Sequence, residues 1–373
     1  MKKHYDVVVI GDGPAGASTA VFLAQQNQDV LLLARQVRPS EKVGENLSPQ
    51  ANPVLKELGV WDTFIDDNPL PSFGEQTSWG QPNVNFHDFI NNPAGPGWHI
   101  DRALFEQCLL EQAQAVGVTI TSEHALRRAQ RQEDLWKLTL SGLPTPLTAD
   151  FVVDATGLSS WLARRQGVTR IHTDKQVALI ATLETTNEPM ADSTSLVEAV
   201  QDGWWYSART PNGRLTVSFM TDIDLHKQQQ LCTPDGWLAK LAQTRHTARR
   251  VHQHDYQLAT TPKFVTAGSS RLEQFWGNGW LAVGDAAMSC NPLSTHGITL
   301  ALMGGKDAAE AIIDHRQGDH RQGNTKALAS YGDKLDWAFS YHSLIHNRHY
   351  RQETRWLNAP YWHRRNRKTA VLV

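Results

Sequence analysis

The sequence predicts an α/β fold built on a parallel β-sheet whose strands end in glycine turns. Three segments carry this prediction, because each places glycine after a short apolar run: YDVVVIGDGPAG at 5–16, DFVVDATG at 150–157 and WLAVGD at 280–285. Buried parallel strands form such runs, and ligands bind where these strands end. The 373 residues are enough for one large core or for two domains that share one.

Composition narrows the class of protein. The net charge of −2 argues against nucleic acid as a partner. The three cysteines, Cys108, Cys232 and Cys290, are too far apart for a CxxC metal site or a disulfide framework, so we expect a cytoplasmic protein without a metal. No run approaches the ~18 apolar residues of a membrane span. The sequence does not indicate the oligomeric state.

The N-terminal segment predicts a βαβ unit of Rossmann type. Short apolar strands at 5–10 and 29–34 flank the helical run ASTAVFLAQQ. The acid that usually ends the second strand and binds a ribose is absent, because the sequence there reads Ala34-Arg35. We therefore expect Arg35 or a backbone group to bind the adenosine ribose.

The turn between the first strand and the helix fits the pyrophosphate of a dinucleotide. Gly11 permits the tight turn, and Gly13 lets the backbone approach the phosphates. Gly16 lets the helix pack closely on the strand, and Pro14 and Ala15 complete the loop. The positive end of the helix then faces the phosphates.

The other two segments resemble those of FAD-dependent monooxygenases of the aromatic-hydroxylase type. The resemblance implies that Asp154 and Gly157 lie near the flavin pyrophosphate. It also implies that Asp285, which follows Gly284, binds the ribityl chain, since a carboxylate accepts hydrogen bonds from hydroxyl groups. FAD is therefore the expected cofactor. We expect it to be bound by the segments at 5–16 and 280–285, which are far apart in the chain.

A third contact with the flavin is expected just after residue 290. A helix that starts near Gly297 and Ile298 would point its positive end at the flavin edge that becomes negative on reduction. Pro292 shapes the turn before this helix. The segment GWHIDRALFEQCLLEQA at 97–113 matches the arginine-bearing helix of these enzymes, which places Arg102 near the cofactor.

The same resemblance implies the architecture. The expected FAD-binding domain is of the glutathione-reductase type, it is discontinuous, and an antiparallel β-sheet substrate domain is inserted into it. The predicted bounds are 1–75, 97–170 and 265–325 for the FAD domain, 76–96 and 171–264 for the substrate domain, and 326–373 for a C-terminal helical segment.

Two motifs narrow the resemblance to the tryptophan-halogenase branch. They are VGENLSP at 43–49 and NPLSTHGI at 291–298. Halogenases of this branch carry a catalytic lysine and a WxWxIP segment. Here Lys56 is the only lysine between Gly44 and Trp98, and no WxW occurs, which argues against halogenation.

The chain most resembles the maturation flavoproteins of tryptophylquinone lysine and glycine oxidases. Looser similarities to them are SWG (78–80), DGWWYSA (202–208) and YRQETRW…YWHRR (350–365). The resemblance implies that reduced FAD and O2 oxygenate a tryptophan in the precursor of a partner oxidase. NAD(P)H or a separate flavin reductase would reduce the FAD. The alternatives are a hydroxylase or reductase of a small aromatic or alkene, and a non-catalytic FAD-bound maturation chaperone.

Candidate residues around the flavin come from the same segments. His296 and Glu45 are the candidate catalytic residues, and the resemblance implies that Glu45 also binds the cofactor near the flavin edge. The plainer interpretations are a loop histidine for His296 and a helix-capping or surface acid for Glu45. Candidate substrate contacts are Trp79, Trp204, Trp205 and Tyr206, which otherwise fill the core.

The basic tail has two interpretations. Its basic residues are Arg348, Arg351, Arg355, Arg364, Arg365, Arg367 and Lys368. They form either a docking surface for a protein substrate or a solvated face of a helix whose aromatic residues cover the FAD domain.

Overall fold

The computed structural model describes residues 1–35, 44–228, 231–317 and 325–367, so Val43, Lys368 and the side chain of Arg367 lie outside the described part. The strands are β1 (His4–Ile10), β2 (Val30–Leu33), β3 (Asn46–Leu47), β4 (Leu70–Ser72), β5 (Gly74–Ser78), β6 (Asn85–Asp88), β7 (Gly97–His99), β8 (Thr119–Thr121), β9 (Leu126–Gln132), β10 (Leu135–Leu140), β11 (Leu147–Asp154), β12 (Arg170–His172), β13 (Gln176–Glu184), β14 (Ser195–Val200), β15 (Gly203–Arg209), β16 (Leu215–Asp222), β17 (Gln257–Leu258), β18 (Lys263–Thr266), β19 (Ser270–Leu272), β20 (Trp276–Gly277), β21 (Trp280–Ala282) and β22 (Met288–Ser289).

The helices are α1 (Pro14–Gln25), α2 (Ala51–Leu58), α3 (Trp61–Asp66), α4 (Arg102–Ala115), α5 (Trp161–Arg165), α6 (Ile223–Gln228), α7 (Pro234–Leu241), α8 (His246–Gln253), α9 (Gly297–Gln317), α10 (Thr325–Gln352) and α11 (Pro360–Arg367). Single 3₁₀ turns occupy Gly157–Ser159, Gly284–Ala286 and Pro292–Ser294. Among the described residues, no helix combines the length and the apolar character needed to cross a membrane.

The first sheet has the order β20-β21-β11-β1-β2-β8 and contains all three glycine segments. Strands β21, β11, β1, β2 and β8 are parallel, and the hairpin β9–β10 extends the sheet from β11. Ile10 pairs with Asp154, and Asp154 pairs with Ala282, so β1, β11 and β21 end at the same level. This register brings the three predicted cofactor segments together at one edge of the sheet.

Close packing of α1 and α9 covers one face of this sheet. A Cβ built on Gly305 of α9 would lie 2.0 Å from the Ser18 hydroxyl oxygen of α1, so only glycine fits there. Buried side chains of β1, β2, α1, α4 and α9 share one hydrophobic cluster. A second cluster lies on the opposite face and includes Trp136 and Trp280.

The second sheet has the order β17-β13-β16-β15-β14-β5-β6, with β18 paired to β13. Its pairs are antiparallel except for β5 and β14, which are parallel. Its strands lie between residues 74 and 266, near the predicted insert, and the domain boundaries themselves stay a prediction. The predicted α/β fold with an inserted sheet and C-terminal helices is confirmed.

The C-terminal helices pack against the second sheet. Tyr361 and Trp362 of α11 are fully buried, and the Trp362 indole donates a hydrogen bond to the Val200 carbonyl oxygen at 2.9 Å. Arg365 pairs with the Asp222 carboxylate at 2.8 Å. These aromatic residues therefore cover the inserted sheet, whereas one of the two interpretations of the tail placed them on the FAD domain.

Candidate active site

The turn after β1 requires glycine at two positions for steric reasons. Gly11 has a φ of +115°, and a Cβ there would lie 2.3 Å from the Ala155 carbonyl oxygen. A Cβ on Gly16 would lie 1.9 Å from the Gly11 carbonyl oxygen. The turn is therefore compressed between α1 and the end of β11, which leaves its outer side for a ligand.

The start of α1 is open where a pyrophosphate is expected. Gly13 precedes the helix without a side-chain cap, and a Cβ built on it would meet no atom within 4 Å. The first amide groups of a helix lack partners inside the helix and attract anions. The open backbone at Gly13 therefore fits a phosphate group, with Pro14 and Ala15 in the first turn.

Asp154 has a structural role in the adjacent turn. Its side chain is fully buried, and its two carboxylate oxygens accept four hydrogen bonds within the protein. The donors are the Thr156 amide and hydroxyl and the amides of Leu162 and Ala163. We therefore assign this carboxylate to holding the Gly157 turn and the start of α5, instead of to direct contact with a cofactor.

Asp285 follows β21 in the turn Gly284–Ala286. We call the region bounded by this turn, the start of α1 and the start of α9 the cleft. The preceding Gly284 has a φ of +60°, and a Cβ there would lie 2.6 Å from the Ala15 Cβ, so this turn packs directly on the first glycine loop. Asp285 is exposed by accessible surface, yet many protein atoms surround its carboxyl group. This loss of hydration raises the pKa of the carboxyl group, and the charges of Arg102 and Arg170 oppose the shift.

Arg170 fixes the Asp285 turn, although the sequence did not mark it as a site residue. Its Nη2 donates hydrogen bonds to the carbonyl oxygens of Asp285 and Ala286 at 2.6 and 2.8 Å and to the Ser160 hydroxyl at 2.6 Å. One guanidinium therefore ties the turn after β11 to the turn after β21. No motif surrounds Arg170, so only the three-dimensional contacts find it.

The segment from Asn291 to Ile298 forms a bent loop that ends in an open helix start. Thr295 has a φ of +52°, which turns the chain so that His296 precedes α9. Gly297 is exposed, and a Cβ on it would meet no atom within 4 Å, whereas Ile298 is buried. The amino end of α9 is therefore as open as that of α1, as contact with a flavin edge requires.

A buried hydrogen-bond network connects this loop to the C-terminal helices. The Asn291 side-chain amide donates to the Tyr350 hydroxyl at 3.0 Å, and this hydroxyl donates to the Gln176 side-chain oxygen at 3.1 Å. Tyr361 and Arg365 donate to the same Gln176 oxygen at 2.8 and 3.1 Å. The C-terminal segment thus helps to position the loop that starts with Asn291 and contains Pro292.

Glu45 is buried just before β3, and its neighbour Gly44 lies near Arg102 and the start of α9. A Cβ on its neighbour Gly44 would lie 2.8 Å from Arg102 Nη1 and 3.9 Å from Ile298 Cδ1. Arg102 Nη1 also donates a hydrogen bond to the Gly44 carbonyl oxygen at 3.3 Å. The structure therefore brings Glu45, Arg102 and the start of α9 together, and their contact with the flavin stays a prediction.

Tyr206 faces Glu45 from strand β15 of the second sheet. Burial raises the pKa of the Glu45 carboxyl group, while Tyr206 and Arg102 oppose the shift. Burial and the Glu45 charge raise the pKa of the Tyr206 phenol. The Tyr206 hydroxyl lies close enough to the Glu45 carboxyl group for an interaction between the two to contribute to both shifts.

His296 belongs to a second group of polar residues, which includes Glu75 and Thr295. Burial lowers the pKa of its imidazole, and nearby Glu75 opposes the shift. Glu75 also accepts a hydrogen bond from the Thr295 hydroxyl at 3.2 Å. Burial lowers the pKa of His342 in α10, and the charge of His296 lowers it further.

The candidate substrate tryptophans lie in packed positions. Trp205 is fully buried on the outer face of the second sheet, where it stacks on Phe219 at 4.8 Å and meets Trp237 edge-on at 5.2 Å. We therefore assign Trp205 to the core instead of to a substrate cavity. Trp79 and Trp204 lie on the inner face and pack against each other at 6.3 Å, so their contact with a substrate stays a prediction.

The observed cleft fits a long dinucleotide. Open backbone at Gly13 and Gly297 marks two helix starts, and the exposed Asp285 lies between them, beside the turn of Gly284 that rests on the first loop. Arg35 is exposed after β2, and its contact with a ribose stays a prediction. Within the described ranges, His, Cys, Asp and Glu side chains form no group of three suited to a metal.

Comparison with known proteins identifies the domain. The family model described as FAD binding domain matches residues 4–335, which is most of the chain. The FAD-dependent oxidoreductase LodB of Marinomonas mediterranea is 27% identical over 377 residues, which cover 99% of each chain. This relative is similar from end to end.

Solved structures show the same fold at low sequence identity. The myxobacterial chondrochloren halogenase CndH superposes with a TM-score of 0.87 at 22% identity, covering 98% of this chain and 86% of that one. The peptidyl tryptophan dihydroxylase QhpG, essential for tryptophylquinone cofactor biogenesis, superposes with a TM-score of 0.72 at 21% identity. The QhpG match covers 99% of this chain and 80% of that one.

Proposed function

We propose that this chain, which belongs to the family of proteins with this FAD-binding domain, oxygenates a tryptophan side chain in a partner protein. The chain is an FAD-dependent oxidoreductase of halogenase-like fold. The partner would be the precursor of a quinone-cofactor oxidase. The end-to-end similarity to LodB and the fold shared with QhpG support this choice within the family.

The position of Lys56 is the observation that favours oxygenation over halogenation. A halogenating enzyme of this branch needs a lysine at the reacting centre, and Lys56 is the only lysine between Gly44 and Trp98. Its side chain is exposed on α2, where Nζ lies 4.8 Å from the centre of the Trp61 ring. This cation–π contact holds Lys56 on the outer surface, so the chain has no lysine from this stretch to deliver a halogen.

The residues of the cleft have separate tasks in this proposal. Gly11, Gly13 and Gly16 with the start of α1 bind the pyrophosphate, and Asp285 accepts hydrogen bonds from the ribityl hydroxyls. The amino end of α9 stabilises negative charge on the flavin edge. When bound and reduced, FAD supplies two electrons to O2, so that one oxygen atom enters the substrate ring and the other leaves as water.

Proton transfer is assigned to the buried groups opposite α9. The raised pKa of Glu45 keeps this carboxyl group protonated to a higher pH than usual, and Tyr206 remains a phenol. Each can donate a proton near the reacting atoms. The lowered pKa of His296 keeps its imidazole neutral, so that it can accept a proton. The two sheets with α9 and α10 shield these groups from water.

The source of electrons and the location of the protein complete the proposal. NAD(P)H that docks transiently or a separate flavin reductase would reduce the FAD, and O2 is the co-substrate. We propose a cytoplasmic enzyme that acts on its partner before that partner reaches its final form.

Co-expression with a precursor of a quinone-cofactor oxidase tests this function. We expect mass spectrometry to find added oxygen on one tryptophan-containing peptide of the precursor, and only when the flavoprotein is present. An unaltered precursor, together with rapid NAD(P)H oxidation in the presence of free small aromatics, would support a small-molecule hydroxylase instead. An unaltered but correctly folded precursor would support a maturation chaperone.

A further inference from the structure

Helix α10 carries an exposed stripe along its outer side. The members recur at intervals of three and four residues, so they share one side of the helix. We call these five residues the α10 stripe: Trp337, Tyr341, Leu344, Arg348 and Arg351. The first three are 68%, 49% and 66% exposed, which is unusual for large apolar side chains that lie so close together.

The apolar half of the stripe is a flat platform. The rings of Trp337 and Tyr341 stack with their centres 5.2 Å apart and their planes 9° from parallel. Tryptophan, tyrosine and arginine are the residues that most often dominate the binding energy of protein interfaces. A pre-stacked pair also loses little side-chain freedom when a partner covers it. The platform therefore has the chemistry of a binding surface.

Helix α10 connects the stripe with the candidate active site. His342 follows Tyr341 directly and is half-buried, and the charge of His296 in the loop before α9 contributes to lowering its pKa. The helix continues to the buried Tyr350, whose hydroxyl accepts a hydrogen bond from Asn291 in the same loop. The stripe therefore lies on the outer side of the helix whose inner side contacts this loop.

The length and charge of the stripe indicate a polypeptide. From residue 337 to residue 351 the helix rises by about 21 Å, which is too long for one small aromatic molecule. The sequence from 337 to 352 contains no aspartate or glutamate, and its exposed side changes from apolar to basic. The complementary occupant is a polypeptide segment with apolar side chains at one end and carboxylates at the other.

We propose that the α10 stripe is the docking surface for the tryptophan-bearing polypeptide substrate. Apolar side chains of the substrate contact residues 337–344, and its carboxylates pair with Arg348 and Arg351. This inference rests on the proposed function, because it names the surface by which that partner reaches the cleft. It places recognition on the outer face of α10, apart from the groups that bind the cofactor and transfer protons.

Binding and modification of the same precursor by stripe variants test the proposal. The variant W337S/L344S removes the apolar platform, and R348E/R351E reverses the charge. We expect each variant to keep its FAD, and W337S/L344S to weaken binding of the purified precursor and lower its oxygenation at least about tenfold. The matched control I65S/L238S makes the same kind of change at exposed apolar positions of α3 and α7 and should behave like the wild type.

The possible outcomes distinguish a failure of the proposed docking surface from a failure of the proposed function. If the wild type and W337S/L344S oxygenate the precursor equally, the docking surface is wrong and the proposed function stands. If the wild type neither binds nor oxygenates any precursor, both are wrong. If light scattering shows a wild-type dimer that W337S/L344S converts to a monomer, a second copy of the chain occupies the stripe and the proposal is overturned.

Discussion

Replacing Asp285 by alanine is expected to leave the purified protein largely without FAD. The carboxylate is the exposed acid of the turn that bounds the cleft, and no neighbouring acid in the Gly284–Ala286 turn replaces it. Hydrogen bonds to charged groups are worth about 1.5–3 kcal/mol, which corresponds to a rise in the Kd for FAD of roughly 10- to 100-fold. Titration of the apo-protein with FAD, followed by flavin fluorescence, measures this change.

We expect Asp285→Ala to lose FAD because a contact with the cofactor is removed, while the protein itself stays folded. The surrounding protein atoms raise the pKa of Asp285 although the residue is exposed by accessible surface, so removal of this carboxylate should not lower the thermal stability of the apo-protein. The control is Asp134→Ala, which removes an exposed acid of the β9–β10 hairpin. Unchanged FAD affinity of Asp285→Ala would show that the ribityl chain is held elsewhere.

Replacing Glu45 by glutamine is expected to slow oxygenation while the FAD remains bound. Glutamine has nearly the same shape, but it cannot donate or accept the transferred proton. General acid–base catalysis typically contributes about 100- to 10,000-fold, so we expect turnover to fall by about 100-fold or more. Single-turnover measurements on the reduced protein with O2 and the substrate determine the rate. Equal rates in the wild type and Glu45→Gln would remove Glu45 from the mechanism.

The pH profile gives this test a second readout. A carboxyl group that acts as an acid must be protonated, so the wild-type rate should fall as the pH rises through the raised pKa of Glu45. Glu45→Gln should lack this fall because its side chain does not titrate. Glu57→Gln serves as the matched control, since Glu57 is an exposed acid of α2 that pairs with Lys306. It should keep both the wild-type rate and the wild-type profile.

The glycine turns that we expect to bind the cofactor could be predicted from the sequence because local geometry determines them. Gly11, Gly16 and Gly284 occupy positions where a Cβ would collide with the backbone or with a neighbouring helix, so the sequence itself shows the tight turns. Each turn also follows a short apolar strand. Once these strands pair in parallel, their ends must meet at one edge of the sheet.

Contacts between distant segments could not be predicted in this way. Arg170 binds the turn at Asp285 across more than a hundred residues, and Tyr350 binds Asn291 from the C-terminal helix. No motif marks Arg170, and the similarity at 350–365 that begins with Tyr350 does not reveal its contact with Asn291, since both roles depend on how distant segments pack. Asp154 illustrates the opposite case, because its position at a strand end was predicted, but its buried hydrogen bonds determine a structural role.

Strand alternation explains the outcome for the tryptophan pair. Trp204 and Trp205 are neighbours in β15, so their side chains point to opposite faces of the second sheet. The sequence did not reveal which face turns toward the cleft, and both were treated as substrate contacts. The structure places Trp204 and Tyr206 on one face and Trp205 on the other.

The flavin content of the purified wild-type protein tests the central claim most directly. The claim is that one FAD spans the cleft from the Gly11–Gly16 loop to the start of α9. Visible absorption, followed by release and chromatography of the flavin, should give a yellow protein with about one FAD per chain. A colourless protein that also fails to bind added FAD would contradict the account.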